Sequence, residues 1–472
     1  MTGQAGRAAR GIRERVLISG SLVLETPAHF GSGDAVGPAD MSLLRDAMDG
    51  QSPLLPGASL AGALRSYLRE YEHGYGQAGH AGDKAGRLFG AIDGNTSVQS
   101  WLLVDDALGN SPGTELRDGV AIEPKTRTAA ENKLFDMELL QAGTRFPISL
   151  ELLLAAGDEG LLEALAVALH GLQEGEIALG LRKRRGLGLC RVDEWRVRRY
   201  DLTTPEGLVG WLDDDTASEQ VGTDIVSLLG VSPGMHDQRE YFSLEAEFEI
   251  ESSLLIRSGG GGANAPDMVH LHSYRDGQEQ PILSGTSLAG AVRARALRIA
   301  NTLHDREVGA ALVDDMFGKR IEGRQDIPSG SRVIVQETPL EGARDLVHSR
   351  VKIDRFTGGS YPGALFAQQP VFGGEGSGLS IEISLRTPLD AEIGLLLQVL
   401  KDLWTGDLPL GGESSVGRGR LSGRESTLTL RRRGETTEWV LLEAGEGLQV
   451  TGSGTAQELE SYVKALGEYR RA

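Results

Sequence analysis

The strongest constraint on this chain is an internal repeat, which decides the architecture ahead of any single element. LLPGASLAGALRSYL, beginning at Leu54, returns as ILSGTSLAGAVRARAL from Ile282, so that Leu60, Gly62 and Arg65 fall on Leu288, Gly290 and Arg293 at an offset of 228. Leu88-Phe89-Gly90 returns as Met316-Phe317-Gly318. Val120, Ile122, Leu134 and Phe135 return as Val351, Ile353, Leu365 and Phe366 at an offset of 231, and Gly180, Gly186 and Gly188 keep that offset in Gly411, Gly417 and Gly419. Four blocks in one order, with a drift of only three residues, make this a duplicated domain.

Both copies read alike. Phe248 and Ile250 alternate with glutamates, the period-two pattern of a strand, and Leu22 and Leu24 fall at alternate positions in the first copy. Leu60, Leu64, Tyr67 and Tyr71 share a helical face, as do Leu288, Val292 and Ile299; Pro or Gly followed by Ser or Thr just ahead supplies a helix start. Later strands alternate Ile148, Leu150 and Leu152, and Ile381, Ile383 and Leu385. Apolar helices follow around Leu161 to Leu172 and Ile393 to Trp404. Strand, helix, strands, helix, strand predicts an α+β chain of two tandem split βαβ, ferredoxin-like units.

The expected boundaries are 1–202 for the first unit, 203–238 for an acidic connector, 239–425 for the second unit and 426–472 for a C-terminal extension. The connector carries Asp213, Asp214, Asp215, Glu219 and Asp224 and reads as a solvated linker with a short helix near Ile225 to Leu229. The extension, with its alternating STLTLRRRGETTEWVLL, reads as a hairpin on the second unit followed by a helix ending in Arg470-Arg471.

Composition narrows the classes. No run approaches 18 apolar residues, which argues against a membrane span, and the opening MTGQAGRAARGIRERV has no apolar signal core, so the expected compartment is the cytoplasm. Cys190 is the only cysteine, which excludes a disulfide framework and a cysteine-rich zinc site; it reads as a packed strand residue. A net charge of −19 argues against nonspecific nucleic-acid binding by the whole surface but not against a local basic groove. Glycine, 65 of 472 residues, is about twice the ordinary share and serves turns and close backbone contacts.

Three patterns bear on chemistry. The first is a glycine-rich loop, LGLRKRRGLGLCRV from Leu179 and LGGESSVGRGRL from Leu410. Arg182, Lys183, Arg184, Arg185, Gly186 and Gly188 in one copy, and Gly417, Arg418, Gly419 and Arg420 in the other, suit the close approach of a phosphodiester; the alternative is a plain glycine hairpin. Neither loop matches a phosphate-binding or dinucleotide fingerprint. The second is an aspartate ahead of each LAGA helix. Asp40, beside Asp34 in a glycine-rich loop, corresponds to Asp267, each within an (Ala/Pro)-Asp-Met string. Such a residue ligates a divalent cation or positions a ribose hydroxyl, or else forms an ordinary Asx turn. The third is a basic hairpin segment: Lys125, Arg127 and Lys133 in one copy, Lys352 and Arg355 in the other. It suits contact with an extended nucleic-acid strand, or is simply solvated. His29, His270 and His272 form no metal pattern.

PGASLAGALR, the Leu-Phe-Gly block, GVAIEPKTRTAAENKLFDMEL and the terminal glycine-rich loop, in that order and twice over, resemble the RAMP superfamily of CRISPR effector proteins. Each copy looks like a backbone subunit of a type III complex, and the fusion is similar to type III-D-like systems. The resemblance implies a modified ferredoxin-like fold with a protruding thumb hairpin, here Gly119 to Phe135 and Arg350 to Phe366. It implies as partners a CRISPR guide RNA, complementary target RNA and other type III effector subunits, with no membrane. Cleavage of target RNA by a loop aspartate with a divalent metal, magnesium, falls on Asp40 and Asp267, which serve as both catalytic and metal-binding residues. Arg65 and Arg293 on the LAGA helices join the loop and thumb cations as RNA ligands. The copies differ at Arg182 to Arg185 against Glu413 to Val416, and the second lacks His29, having Ile256 or Arg257 nearby. The rival readings are a non-catalytic guide-binding scaffold of the same fold, a standalone guide-processing endoribonuclease using His29, and a nucleotide-binding metabolic enzyme.

Overall fold

The computed structural model describes residues 11–33, 39–93, 96–123, 128–232, 234–258, 266–319, 329–374, 376–444 and 447–470. Asp34, Lys125, Arg127 and Arg471 lie outside the described residues. The first unit runs β1 (Ile12–Leu24), α1 (Gly57–His73), α2 (Lys84–Phe89), β2 (Leu102–Val104), β3 (Thr114–Ile122), β4 (Ala129–Leu140), β5 (Arg145–Ala155), α3 (Glu159–Gln173) and β6 (Cys190–Asp201). After it come α4 (Pro205–Leu212), β7 (Gln220–Gly222) and α5 (Ile225–Leu229). The second unit repeats the plan in β8 (Tyr241–Ile250), β9 (His272–Arg275), β10 (Gln278–Leu283), α6 (Gly285–Leu303), α7 (Arg306–Phe317), β11 (Val333–Val335), β12 (His348–Ile353), β13 (Ser360–Gln369), β14 (Gly378–Arg386), α8 (Asp390–Trp404) and β15 (Leu421–Arg432). The chain closes with β16 (Glu435–Ala444), β17 (Gly447–Gly452) and α9 (Ala456–Glu468).

Each unit is ferredoxin-like. The antiparallel sheets have the orders β7-β6-β1-β5-β2 and β11-β14-β8-β15-β16-β17, so the first strand of each unit lies between its last and third, with the second at the edge. Registers repeat as well: Ile18 faces Leu150 and Val197, while Leu244 faces Ile383 and Leu428. Period-two burial explains this choice of face. Phe146, Ile148, Leu150 and Leu152 are at most 2% exposed, as are Ile381, Ile383 and Leu385, while the intervening residues of β5 and β14 are more open. Leu60, Leu64 and Tyr67 of α1 close over the first sheet, joined by Leu161, Leu165 and Leu169 of α3. Inserted between second and third strands of each unit is a long hairpin, β3–β4 or β12–β13, where the thumb is expected.

One expectation about the flanks changes, and the expected boundary at 425/426 falls inside a strand. The connector is not simply a solvated linker: β7 pairs with β6, and Ile225 and Leu229 are fully buried in the first core. Asp213, Asp214, Asp215 and Asp224 are exposed, and Asp224 Oδ1 accepts from Val226 N at 3.1 Å to start α5. In the extension, β15 runs unbroken from Leu421 to Arg432 because it pairs β8 on one side and β16 on the other. The expected hairpin and helix are present, and α9 lays Leu459 and Leu466 into the second core.

A buried ionic cluster fastens the two units. Arg117 on β3 donates from Nη1 and Nη2 to the Glu337 carboxylate at 2.7 and 3.0 Å, and Nε donates to Glu115 at 2.9 Å. Arg275 on β9 donates to Glu337, and Ser273 Oγ to Glu115 Oε2 at 3.0 Å. The Glu337 side chain is 1% exposed. A second fastening stacks Arg239 on Tyr67 and Tyr71 at 4.7 and 5.3 Å and pairs it with Asp237 and Glu176. Arg431 also pairs with Asp237, and Arg386 pairs with Glu70 at 3.0 Å.

Candidate functional site

The two loop aspartates occupy equivalent positions. Asp40 Oδ2 accepts the backbone N–H of Asp136 at 3.1 Å, and Asp267 Oδ2 accepts that of Ala367 at 2.8 Å. Asp136 and Ala367 are themselves 231 apart, the repeat offset. Beyond each aspartate the loop runs parallel to the hairpin strand, Met41 beside Met137 and Met268 beside Gln368. Both carboxylates are thereby pinned at the root of a long hairpin, and both side chains remain exposed. Neither of these bonds is an Asx turn, since each aspartate reaches a strand about a hundred residues away.

Asp40 opens onto a cavity of about 640 Å³ lined also by His29, Gly31, Ser59, Gly62, Gly180 and Lys183. Three parts of the chain converge here: the aspartate loop, the first turns of α1 and the glycine-rich loop. The last is a closed hairpin, with Leu179 N donating to Gly188 O at 2.8 Å and Leu410 N to Gly419 O at 2.9 Å in the second unit. Gly188 and Gly419 have φ of +76° and +81°, and a Cβ on either would overlap the carbonyl oxygen of Leu179 or Leu410. Only glycine fits these turns. Arg182 and Glu413 take the same left-handed conformation, φ 56° and 59°, at the start of the loop's short helical turn.

A family model described as the RAMP superfamily matches residues 21–191 and 247–422. The chain belongs to the RAMP superfamily. The two matched regions are the two ferredoxin-like units, so the expected tandem of RAMP domains stands. None of the curated proteins compared matches the chain. Among the described residues no helix is long and apolar enough to cross a membrane.

The cations singled out in the RAMP copies divide into two groups. Arg65, Lys183, Lys352, Arg355, Arg420 and Lys133 are exposed, with Lys352 Nζ 4.8 Å over the Tyr361 ring and Arg355 at the β12–β13 tip. Arg182 stacks on Phe135 at 4.7 Å. Others are spent on protein: Arg184 donates to the Ser331 carbonyl, and Arg185 Nη1 to that of Val333 at 3.1 Å. Burial, with Arg184, Arg293 and Arg182 nearby, pushes the Arg185 guanidinium down to about 10, still charged at neutral pH. Gly186 abuts the Glu337 backbone. Arg418 is buried against Glu413, Gln368 and His348, and Arg293 pairs with Asp314 at 2.6 Å. The basic run Arg182 to Arg185 therefore belongs partly to the seam between copies.

Several features had no signal in the sequence. Asp118 faces Asp136 across β3 and β4, beside the peptide that holds Asp40. Partial burial, then the hydrogen bond and charge of Asp136, raise the Asp118 carboxyl above the usual carboxylate range. The second copy has Ser349 and Ala367 there, so only the first site carries this acid pair. His29 is buried, its Nδ1 2.8 Å from the Glu138 carbonyl oxygen. Its structural counterpart is Leu255, not Ile256 or Arg257: Leu181 N donates to His29 O as Gly412 N donates to Leu255 O. His270 is fully buried, its ring bonded to the backbones of Ile256, Leu254 and Ile282, and burial pushes it down to about 4. That histidine is a neutral core residue.

Proposed function

We propose that this chain is a backbone subunit of a type III CRISPR ribonucleoprotein, of the fused type III-D-like kind, which binds guide RNA and cleaves complementary target RNA at two positions. The observation that carries the reading is the duplicated aspartate pinned at the root of each thumb hairpin. Support also comes from exposed cations: Lys183 lines the Asp40 cavity, and Lys352 and Arg355 lie on the β12–β13 hairpin and at its tip. Phosphate contacts of this kind set register along an RNA without reading its sequence.

In this reading Asp40 and Asp267 accept a hydrogen bond from the ribose 2′-hydroxyl at a splayed target nucleotide. The 2′-oxygen attacks the adjacent phosphorus, the 2′ proton leaves to the carboxylate or to water, and the P–O5′ bond breaks as the departing 5′-oxygen takes a proton from water. Products carry a 2′,3′-cyclic phosphate and a 5′-hydroxyl. The chain contributes chiefly alignment, since holding the attacking oxygen in line removes a large entropic part of the barrier.

Among the described residues no group of three metal-ligating side chains includes either aspartate. A single exposed carboxylate fits a magnesium ion held mostly by RNA phosphates and water, with Asp40 or Asp267 as its protein ligand. When bound, such an ion would offset charge developing on the phosphate. The test is incubation of the guide-loaded complex with end-labelled complementary RNA, with magnesium or with a chelator. Discrete products that require both magnesium and complementarity are expected. Tight target binding with no product in either condition would leave the chain as a scaffold.

A further inference from the structure

The two copies part company between their first two helices. The LAGA block and the Leu-Phe-Gly block both keep the offset of 228, so the stretches between them are equally long. The second copy fills this stretch with helix, α6 and α7 being separated by His304 and Asp305 alone. The first copy ends α1 at His73 and starts α2 at Lys84, with a loop between them that holds Gly74, Gly76, Gly79 and Gly82. Across the mouth of this loop Glu72, His73 and Asp83 converge. Their counterparts in the second copy are Ala300, Asn301 and Ala311, which offer neither an imidazole nor a carboxylate.

His73 Nε2 lies 2.9 Å from Asp83 Oδ2 and 3.7 Å from Glu72 Oε2, and the three atoms all fall within 4.8 Å of one another. Zinc in a tetrahedral site, with bonds of about 2.1 Å, sets its ligand atoms about 3.4 Å apart. The triad brackets that spacing. Both carboxylates are held in place by backbone: Glu72 accepts from Lys84 N and Ala85 N at 3.3 and 3.4 Å, and Asp83 accepts from His80 N. The Glu72, His73 and Asp83 side chains are only 19%, 27% and 18% exposed. Two carboxylates largely out of water around one imidazole call for a cation. The neighbouring cations are committed elsewhere, Lys84 Nζ to Glu163 at 3.3 Å and Arg87 to Asp158. Among the described residues no lysine or arginine pairs with Glu72 or Asp83, and Arg69, whose stem passes beside Gly79, pairs with neither.

We propose that Glu72, His73 and Asp83 form a site for a divalent transition-metal ion of the zinc class, separate from the aspartates at the hairpin roots. The imidazole decides the class, because magnesium and calcium take oxygen ligands while zinc takes nitrogen and oxygen together. The ion takes the place of the proton between His73 Nε2 and Asp83, the ring's remaining proton sits on Nδ1, and water fills the fourth position. It clips the end of α1 to the start of α2 and closes the glycine loop. The clip lies beside two contacts with the second unit, where Gln238 N donates to Tyr71 O at 2.9 Å and Arg386 pairs with Glu70, so it stiffens that part of the seam. This inference rests on the triad and the repeat, not on RNA cleavage.

The test uses the full chain without RNA, stripped of metal by a chelator, with zinc ion alone as the probe. Isothermal titration is expected to show saturable binding of one zinc per chain with a micromolar or tighter Kd that millimolar magnesium does not displace. Zinc should raise the melting temperature, since it binds the folded chain, and should slow amide exchange across residues 74–83. His73→Asn, which installs the second copy's residue, and Asp83→Asn, which keeps an acceptor for His80 N, should each weaken zinc binding at least tenfold. Circular dichroism in chelator checks that both variants are folded, and the exchange map of the wild type locates the ion without any variant. Absence of saturable zinc binding would overturn the proposal. So would zinc bound equally well by the wild type and both variants, or exchange slowed elsewhere and not across 74–83.

Discussion

Glu337→Gln is the sharpest perturbation of the seam. The substitution keeps the shape of the side chain and removes one negative charge from a place where it is 1% exposed. Arg117, with its two bonds of 2.7 and 3.0 Å to that carboxylate, and Arg275 are then left with Glu115 as their one acidic partner in the cluster. Breaking a buried pair by removing one partner costs about 3–5 kcal/mol. Because the charge lies between the units, the cost falls on their docking, and 3 kcal/mol is about two orders of magnitude in that equilibrium. Urea unfolding should give a lower midpoint, and amide exchange along β11 should accelerate. Adding Arg117→Met to Glu337→Met leaves Glu115 and Arg275 as opposite charges bridged by Ser273 Oγ. That double variant should cost at least about 2 kcal/mol less than the sum of the singles. Single-variant costs that simply add, to within about 0.5 kcal/mol, would refute a buried, interdependent cluster.

Other consequences are equally concrete. Gly188→Ala and Gly419→Ala each force a Cβ into a carbonyl oxygen at positive φ, so each should destabilise its own unit by more than the ~1–2 kcal/mol of left-handed strain alone, read by thermal melting. His270 has a folded value of about 4 against 6.5 when free, so the folded chain stays unprotonated there while the unfolded chain takes up a proton. Its stabilising share is complete above pH 6.5 and is lost as pH falls toward 4, by up to ~1.4 kcal/mol per pH unit. His270→Gln should flatten that part of the urea midpoint between pH 7.5 and 5. Phe356, 99% exposed at the β12–β13 tip, contributes nothing to the core, so Phe356→Ser should leave the melting curve in place. It should weaken target-RNA binding by about 1–3 kcal/mol, the worth of one stacked base; unchanged affinity would remove the tip from the RNA interface.

Much of the fold is legible in the chain because its signals are local. Alternation at Ile148, Leu150 and Leu152, and again at Ile381, Ile383 and Leu385, marks the same strand twice, and Leu60, Leu64 and Tyr67 mark the helix that covers it. The Asp-Met string is likewise local, and it brings Asp40 and Asp267 to equivalent hairpin roots. The seam is not local. Arg117 and Glu337 are 220 residues apart, and nothing near either announces the other. Arg184 and Arg185 look the same in sequence whether they meet a phosphate or a strand-edge carbonyl, so the basic loop reads as RNA-facing although half of it is turned to the neighbouring unit. The connector misleads in a related way. Its acidic residues dominate the composition, while Ile225 and Leu229 suffice to anchor α5 in the core.

On the proposed function, two aspartates, one per RAMP copy, each cut the target once. The most direct test is the product map of a 5′-labelled complementary RNA cleaved by guide-loaded complexes carrying Asp40→Ala or Asp267→Ala alone. Each variant is expected to lose one cleavage position and keep the other, with guide binding unchanged. A map identical to wild type in both variants and in the double variant would contradict this reading.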